Sequence, residues 1–182
     1  MSEQKTPAFE TALIEYGTFM VAGVTDPATE ESDFGSWWER LYSTLESSES
    51  DLAAQRLAAQ RLAAVEKLQK VGVVMPDADD TGFTYTAGFI VPGGIKDVAA
   101  LGLTGVMVPA AMYATVLVQG AIIPGVPPAH IKAGFNHLAS TFIPSKGLEP
   151  TGVCLEVYGP GEITDENYRM YLWQAVTSPQ AA

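Results

Sequence analysis

Residues 98–129 contain no acidic or basic side chain. A stretch this apolar has to leave water, and it can do so in a membrane or in a folded core. Gly102, Gly105, Pro109, Gly120, Pro124 and Gly125 cut it into pieces, each far shorter than the roughly 20 residues of a spanning helix. Short apolar pieces bounded by turn formers read as buried strands. Two are predicted here, over 104–108 and 112–119. In the second, Tyr113, Thr115 and Leu117 share one face, and Met112, Ala114, Val116 and Val118 share the other.

The remaining chain supplies partners for these strands. A strand is predicted over 12–24, where Ile14, Tyr16, Phe19, Met20 and Val21 precede Asp26-Pro27. Phe34, Trp37, Trp38, Leu41, Tyr42 and Leu45 follow the spacing of an amphipathic helix, with Ser32 or Asp33 as its cap. Trp37 and Trp38 are adjacent, so one is expected to anchor packing and the other to sit at a pocket mouth. Residues 51–70 form a helical extension built on a repeated Leu-Ala-Ala-Gln-Arg. Its five-residue period drifts round a helix and gives no steady apolar face. Strands over 71–75 and 83–91 follow; Phe83, Tyr85, Ala87, Phe89 and Val91 line one side of the latter. Pro92-Gly93-Gly94 closes this half, with no helix start evident after it.

Pro127-Pro128 opens a second helix, striped by Ile131, Phe135, Leu138 and Phe142 and ended by Ile143-Pro144. Strands over 153–158 and 168–176 complete the chain. Each half therefore reads strand, helix, strand, strand. That order predicts a single α+β domain over 11–176, with halves at about 11–94 and 103–176. Residues 1–10 are expected to be a flexible N-terminus and 177–182 a tail.

The strand over 153–158 carries an awkward charge. Val153, Leu155 and Val157 share one face, and Cys154, Glu156 and Tyr158 share the other. A carboxylate on so apolar a strand costs free energy unless it is paired, protonated or waiting for a cation. Arg169 or Lys146 would be its partner if the role were structural. Tyr85, Tyr113, Trp173 and Phe142 are aromatic candidates for the walls of a pocket, since ring faces attract cations and stack on planar ligands.

Composition excludes several function classes. A formal net charge of −11 argues against nucleic-acid binding and against anionic membrane surfaces. Cys154 is the only cysteine, so no intrachain disulfide forms, and 1–10 hold no apolar core of signal-peptide length. A cytoplasmic location is expected. Neither 1–10 nor 177–182 has room for a helix-turn-helix. His130 and His137 lack acids at ligand spacing and read as surface or cap positions; Asp77, Asp79 and Asp80 read as a solvated turn. No metal and no cofactor is expected.

Trp37-Trp38-Glu39-Arg40-Leu41, Phe83-Thr84-Tyr85-Thr86-Ala87-Gly88, Val108-Pro109-Ala110 with Tyr113-Ala114, Phe142-Ile143-Pro144-Ser145-Lys146-Gly147 and Leu155-Glu156-Val157-Tyr158 occur in this order. In that arrangement the chain resembles the gyrase-inhibitor-like (GyrI-like) effector-binding domain. Such domains are also fused behind the DNA-binding parts of AraC-type and MerR-type multidrug regulators of transcription. The resemblance implies two pseudo-twofold halves of an antiparallel sheet with a ligand cleft between them. It also implies that Glu156 contacts lipophilic, planar, often cationic compounds among Tyr158, Tyr85, Tyr113, Trp173, Phe142 and Trp38. Sensing or sequestration of a drug-like compound is the first function this suggests. A hydrolase opening cyclopropane rings of DNA-alkylating natural products is the second, with Glu156 as base and Tyr113 or Tyr158 polarising the leaving group. A protein-interaction role toward gyrase is the third. A homodimer and a protein partner both stay open.

Overall fold

The computed structural model describes residues 9–29, 31–46, 52–77 and 82–179. Most of the predicted N-terminus, Asp79, Asp80 and the last three residues lie outside them. Among the described residues eight strands form one antiparallel sheet: β1 (Glu10–Tyr16), β2 (Phe19–Ala28), β3 (Lys70–Pro76), β4 (Phe83–Ile90), β5 (Thr104–Val108), β6 (Ala111–Gln119), β7 (Glu149–Tyr158) and β8 (Arg169–Thr177). The helices are α1 (Gly35–Leu45), α2 (Leu52–Val65), α3 (Ile95–Leu101), α4 (Ala129–His137) and the short α5 (Ile143–Ser145). Among the described residues no helix is long and apolar enough to cross a membrane.

The strand order β1-β6-β8-β7-β3-β4-β2-β5 reads as two matching halves that meet at β7 and β3. Each half has its own strand, helix, strand, strand unit: β2, α1 and α2, β3, β4 in the first, and β6, α4, β7, β8 in the second. The remaining strands are exchanged, β1 pairing with β6 and β5 with β2.

The single strand expected over 12–24 is divided at Gly17-Thr18 into β1 and β2, yet its register does not break. Tyr16 faces Ala111 and Phe19 faces Val108, three residues on along both chains. The Thr18 hydroxyl accepts from the Ala110 N–H at 3.1 Å across the gap. Thus β1–β2 and β5–β6 form one long ribbon whose two ends serve opposite sides of the sheet. On a flat sheet, β1 and β2 would stand six strand spacings apart, about 29 Å. The three Cα steps from Tyr16 to Phe19 reach at most about 11 Å. The sheet therefore bends until the ribbon can join both halves.

Alternation then sorts the core. On the helix-bearing face, α1 buries Trp37, Leu41 and Leu45 with Tyr85, Ala87 and Phe89 of β4. Leu138, Ile131 and Ile143 pack there on Val116, Met170 and Leu172. On the opposite face Val21, Val71, Val73, Tyr113 and Leu155 form a third cluster drawn from both halves.

Two local expectations need correction. A helix, α3, does follow Gly93-Gly94. Gly94 and Gly102 flank it at φ +60° and +69°, a region that favours glycine, and the Asp97 carboxylate accepts from the Gly93 N–H at 2.7 Å. Ile143-Pro144 does not end the second helix. A π-helical turn (Leu138–Phe142) carries the chain on into α5, and such a wide turn absorbs the amide that proline lacks. Of the two caps expected for α1, Asp33 accepts from the Gly35 N–H at 3.1 Å, while Phe34 holds the N-cap position itself without a side-chain bond. The repeat helix α2 behaves as its period predicts, burying only Ala58 and Val65 and leaving Leu52 and Leu57 exposed.

Candidate functional site

Glu156 lies on β7 at the seam between the halves, on the helix-bearing face. Its cross-strand neighbours are Gly72 on β3 and Leu172 on β8. Gly72 opens the space in front of the carboxylate. A Cβ at that position would fall 2.4 Å from the Tyr85 hydroxyl and 2.7 Å from Glu156 Oε2. Tyr85, one strand further on β4, reaches across this gap and donates its O–H to Oε2 at 2.9 Å. Tyr158, two residues along from Glu156 and so on its face, donates to the same oxygen at 2.9 Å.

Aromatic packing fixes both phenols. Tyr85 is wedged by Phe34 at 4.7 Å and by the edge of Trp37 at 5.8 Å. The ring of Trp38 meets Tyr158 edge-on at 5.0 Å. Phe142, on the π-helical turn, belongs to the second-half cluster against which Tyr158 also packs. Trp37 is thus the buried anchor and Trp38 the half-buried ring beside the acid. The Trp38 indole N–H is buried and makes no hydrogen bond of normal geometry, though it lies near enough to the Tyr85 hydroxyl to pull its pKa down.

No described cation pairs with Glu156. Arg169 donates to Gln119 at 3.3 Å and Lys146 sits over the Phe142 ring; the recorded ion pair joins Arg40 to Asp26 at the surface. Burial pushes the Glu156 carboxyl above its ordinary value, and the donated bonds from Tyr158 and Tyr85 hold part of that rise back. Both phenols are driven well up, first by burial and then by the charge of Glu156. Protein encloses the carboxylate on most sides, yet the residue keeps a partial opening to solvent. An ionised acid there is held by neutral donors alone among the described residues.

Tyr113 and Trp173 do not join this group. Tyr113 is fully buried and packs with Trp173 at 5.5 Å on the opposite face, beside Leu155. The sheet itself separates them from Glu156, so Tyr113 cannot act with it on one substrate. The residues that strand alternation did not single out are Gly72 and Phe34. A glycine inside the apolar run Val71-Gly72-Val73 was the available signal, since such a residue often marks close approach by another group.

Cys154 shares the Glu156 face and donates its S–H to Gln174 Oε1 at 2.9 Å. Burial, with the Glu156 charge second, pushes its thiol up to about 12 against the opposing Gln174 bond. Thiolate is the reactive form, so alkylation at mildly basic pH is expected to run about a thousandfold slower in the folded protein than in denaturant. Mass spectrometry of iodoacetamide-treated samples reads this directly. His130 is not a plain surface residue: its ring fills the space beside Gly120, Nε2 is buried without a hydrogen-bond partner, and burial lowers its pKa. His137 stacks on Phe9 at 4.6 Å. Among the described residues no group of three or more His, Cys, Asp or Glu side chains is placed to hold a metal. A cavity of about 310 Å³ lies at the β7–β8 connection, lined by Glu162, Asp165, Tyr168 and Arg169 among others, and includes none of the Glu156 group.

No family model and no curated protein matches the chain. Solved structures do. SAV2435 bound to tetraphenylphosphonium is similar over 92% of this chain and 94% of its own, with a TM-score of 0.66 at 14% identity. The EcmrR C-terminal domain matches over 94% of this chain and 99% of its own, with a TM-score of 0.58 at 12% identity. A hydrolase from Listeria innocua matches over 95% and 94%, with a TM-score of 0.53 at 12% identity. At these identities the likeness is one of fold, and the fold is the GyrI-like one.

Proposed function

We propose that the protein binds lipophilic aromatic cations over the β3–β7 seam on the helix-bearing face, with Glu156 as countercharge and Trp38, Tyr158 and Phe142 as apolar walls. The observation that carries this reading is a carboxylate enclosed at the seam without a described cationic partner, held only by two phenol donors. A buried anion left in this state gains most from a ligand that brings positive charge together with apolar surface. Burial of that surface contributes on the order of 25 cal/mol per Å², and the acid selects the sign of charge. The tetraphenylphosphonium complex of SAV2435 places an aromatic cation on the same fold, which supports the reading. The biological use we infer is sensing or sequestration of such compounds.

The test uses one ring system with two charges. Rhodamine 6G is expected to saturate the wild-type protein in a fluorescence-anisotropy titration, while anionic fluorescein is expected not to bind. Equal affinity for both dyes would sink the proposal.

A hydrolytic reading has one observation in its favour: a carboxyl held above its ordinary pKa approaches the range useful to a general base. With Tyr113 on the other face, Tyr158 is the phenol left to polarise a leaving group, and it already donates to Glu156. Incubation with a cyclopropane-bearing alkylator should then yield a product heavier by one water; unchanged substrate across several such compounds rejects this reading.

A further inference from the structure

The two oxygens of Glu156 are not equivalent. Oε2 accepts both phenol hydrogens, from Tyr85 and Tyr158, each at 2.9 Å. A carboxylate oxygen offers about two lone-pair sites, so Oε2 is filled. Oε1 accepts no hydrogen bond from any described residue, and the residue keeps a partial opening to solvent. It is therefore the oxygen left for a ligand on the helix-bearing face. Four described cations are engaged elsewhere: Arg40 with Asp26, Arg169 with Gln119, Lys146 over Phe142 and Lys70 over Tyr42.

Resting on the proposed cation site, we infer that Glu156 Oε1 selects cations bearing an N–H, namely protonated amines or amidinium groups on an aromatic body, over fully substituted ammonium or phosphonium ions. A quaternary cation meets Oε1 with a methyl or aryl surface. It neutralises charge at a distance and leaves both lone pairs of a poorly hydrated oxygen unmet. An N–H donor forms a short charge-assisted bond to the same atom, roughly twice as strong as a neutral one. The arrangement of the phenols makes this possible, because both hydroxyls point at one oxygen and keep the other clear.

The comparison that tests this changes one group. N,N-Dimethyl-1-pyrenemethylamine, protonated near neutral pH, and trimethyl(1-pyrenylmethyl)ammonium share charge and ring and differ by a hydrogen replaced with a methyl. Apolar burial alone favours the quaternary compound, which has the extra methyl. The expected result is at least about tenfold tighter binding of the protonated amine, with the gap closing in Glu156→Gln. Equal affinities, or a preference for the quaternary compound, overturn the N–H selection and leave the cation site standing. If neither compound saturates while the fold is intact by circular dichroism, the cation site falls and the selection with it.

Discussion

Glu156→Gln is expected to lower affinity for rhodamine 6G by about one to two orders of magnitude while raising the melting temperature of the unliganded protein near pH 8. The affinity term follows from losing a charged partner in an enclosed site, where such interactions are worth about 1.5–3 kcal/mol. The stability term has the opposite sign, because the acid's folded-state pKa is raised by burial. The unfolded chain gives up this proton at lower pH than the folded one. Stability contributed by the protonated form is thus fully present below the ordinary carboxylate range and lost as pH rises through the raised value. Glutamine cannot ionise and escapes that loss, and its amide oxygen can still accept from Tyr85 and Tyr158. The melting-temperature gap should therefore open with rising pH and close near pH 4. Dye affinity of the wild type should climb across the same window, since the cation needs the ionised acid. Calorimetric melts and dye titrations on matched pH series check both. A variant that melts below the wild type at pH 8 would show that the carboxylate already stabilises the unliganded protein.

This opposition of function and stability is what the sequence made visible. A glutamate among Val153, Leu155 and Val157 violates the local apolar pattern, and such violations concentrate at functional sites. Alternation alone placed Tyr158 beside it, and the same rule placed Tyr85 with Phe89 on the face that α1 covers. Alternation could not say which face of one strand continues which face of another, because that depends on register across a sheet. Tyr113 and Trp173 were grouped with Glu156 for that reason, although the pairings of Trp173 with Leu155 and of Leu172 with Glu156 turn them to the other side. The exchange of β1 and β5 was hidden for a related cause. Gly17-Thr18 looks like the interior of one strand, and in hydrogen-bond register it nearly is, but the sheet bends there to serve two halves. The start of α3 was missed because its carboxylate, Asp97, lies inside the first turn and reaches back to Gly93.

Gly72→Ala is expected to damage the site more than the fold, and Tyr85→Phe is expected to repair part of that damage. The added Cβ would stand 2.4 Å from the Tyr85 hydroxyl and 2.7 Å from Glu156 Oε2. Both are side-chain ends, so the strand pairing itself need not move. Tyr85 has little room to yield: it is 1% exposed and held by Phe34 and Trp37. Its hydrogen bond to Glu156 therefore breaks, leaving a buried hydroxyl unmatched at about 1–3 kcal/mol. Glu156 also loses one of the two donors that lower its pKa, so dye affinity should fall and its pH midpoint should shift upward. Removing the hydroxyl in Gly72→Ala/Tyr85→Phe removes the closest of these contacts and the unmatched group, and leaves the Cβ to meet Glu156 Oε2 alone among polar atoms. The double variant should consequently be more stable than Gly72→Ala alone, with a coupling of about 1–2 kcal/mol in urea melts. Strictly additive effects would mean that Gly72 is glycine for the backbone's sake. A positive coupling would assign it to the site, as the residue that lets a phenol on β4 reach an acid on β7 across the strand between them.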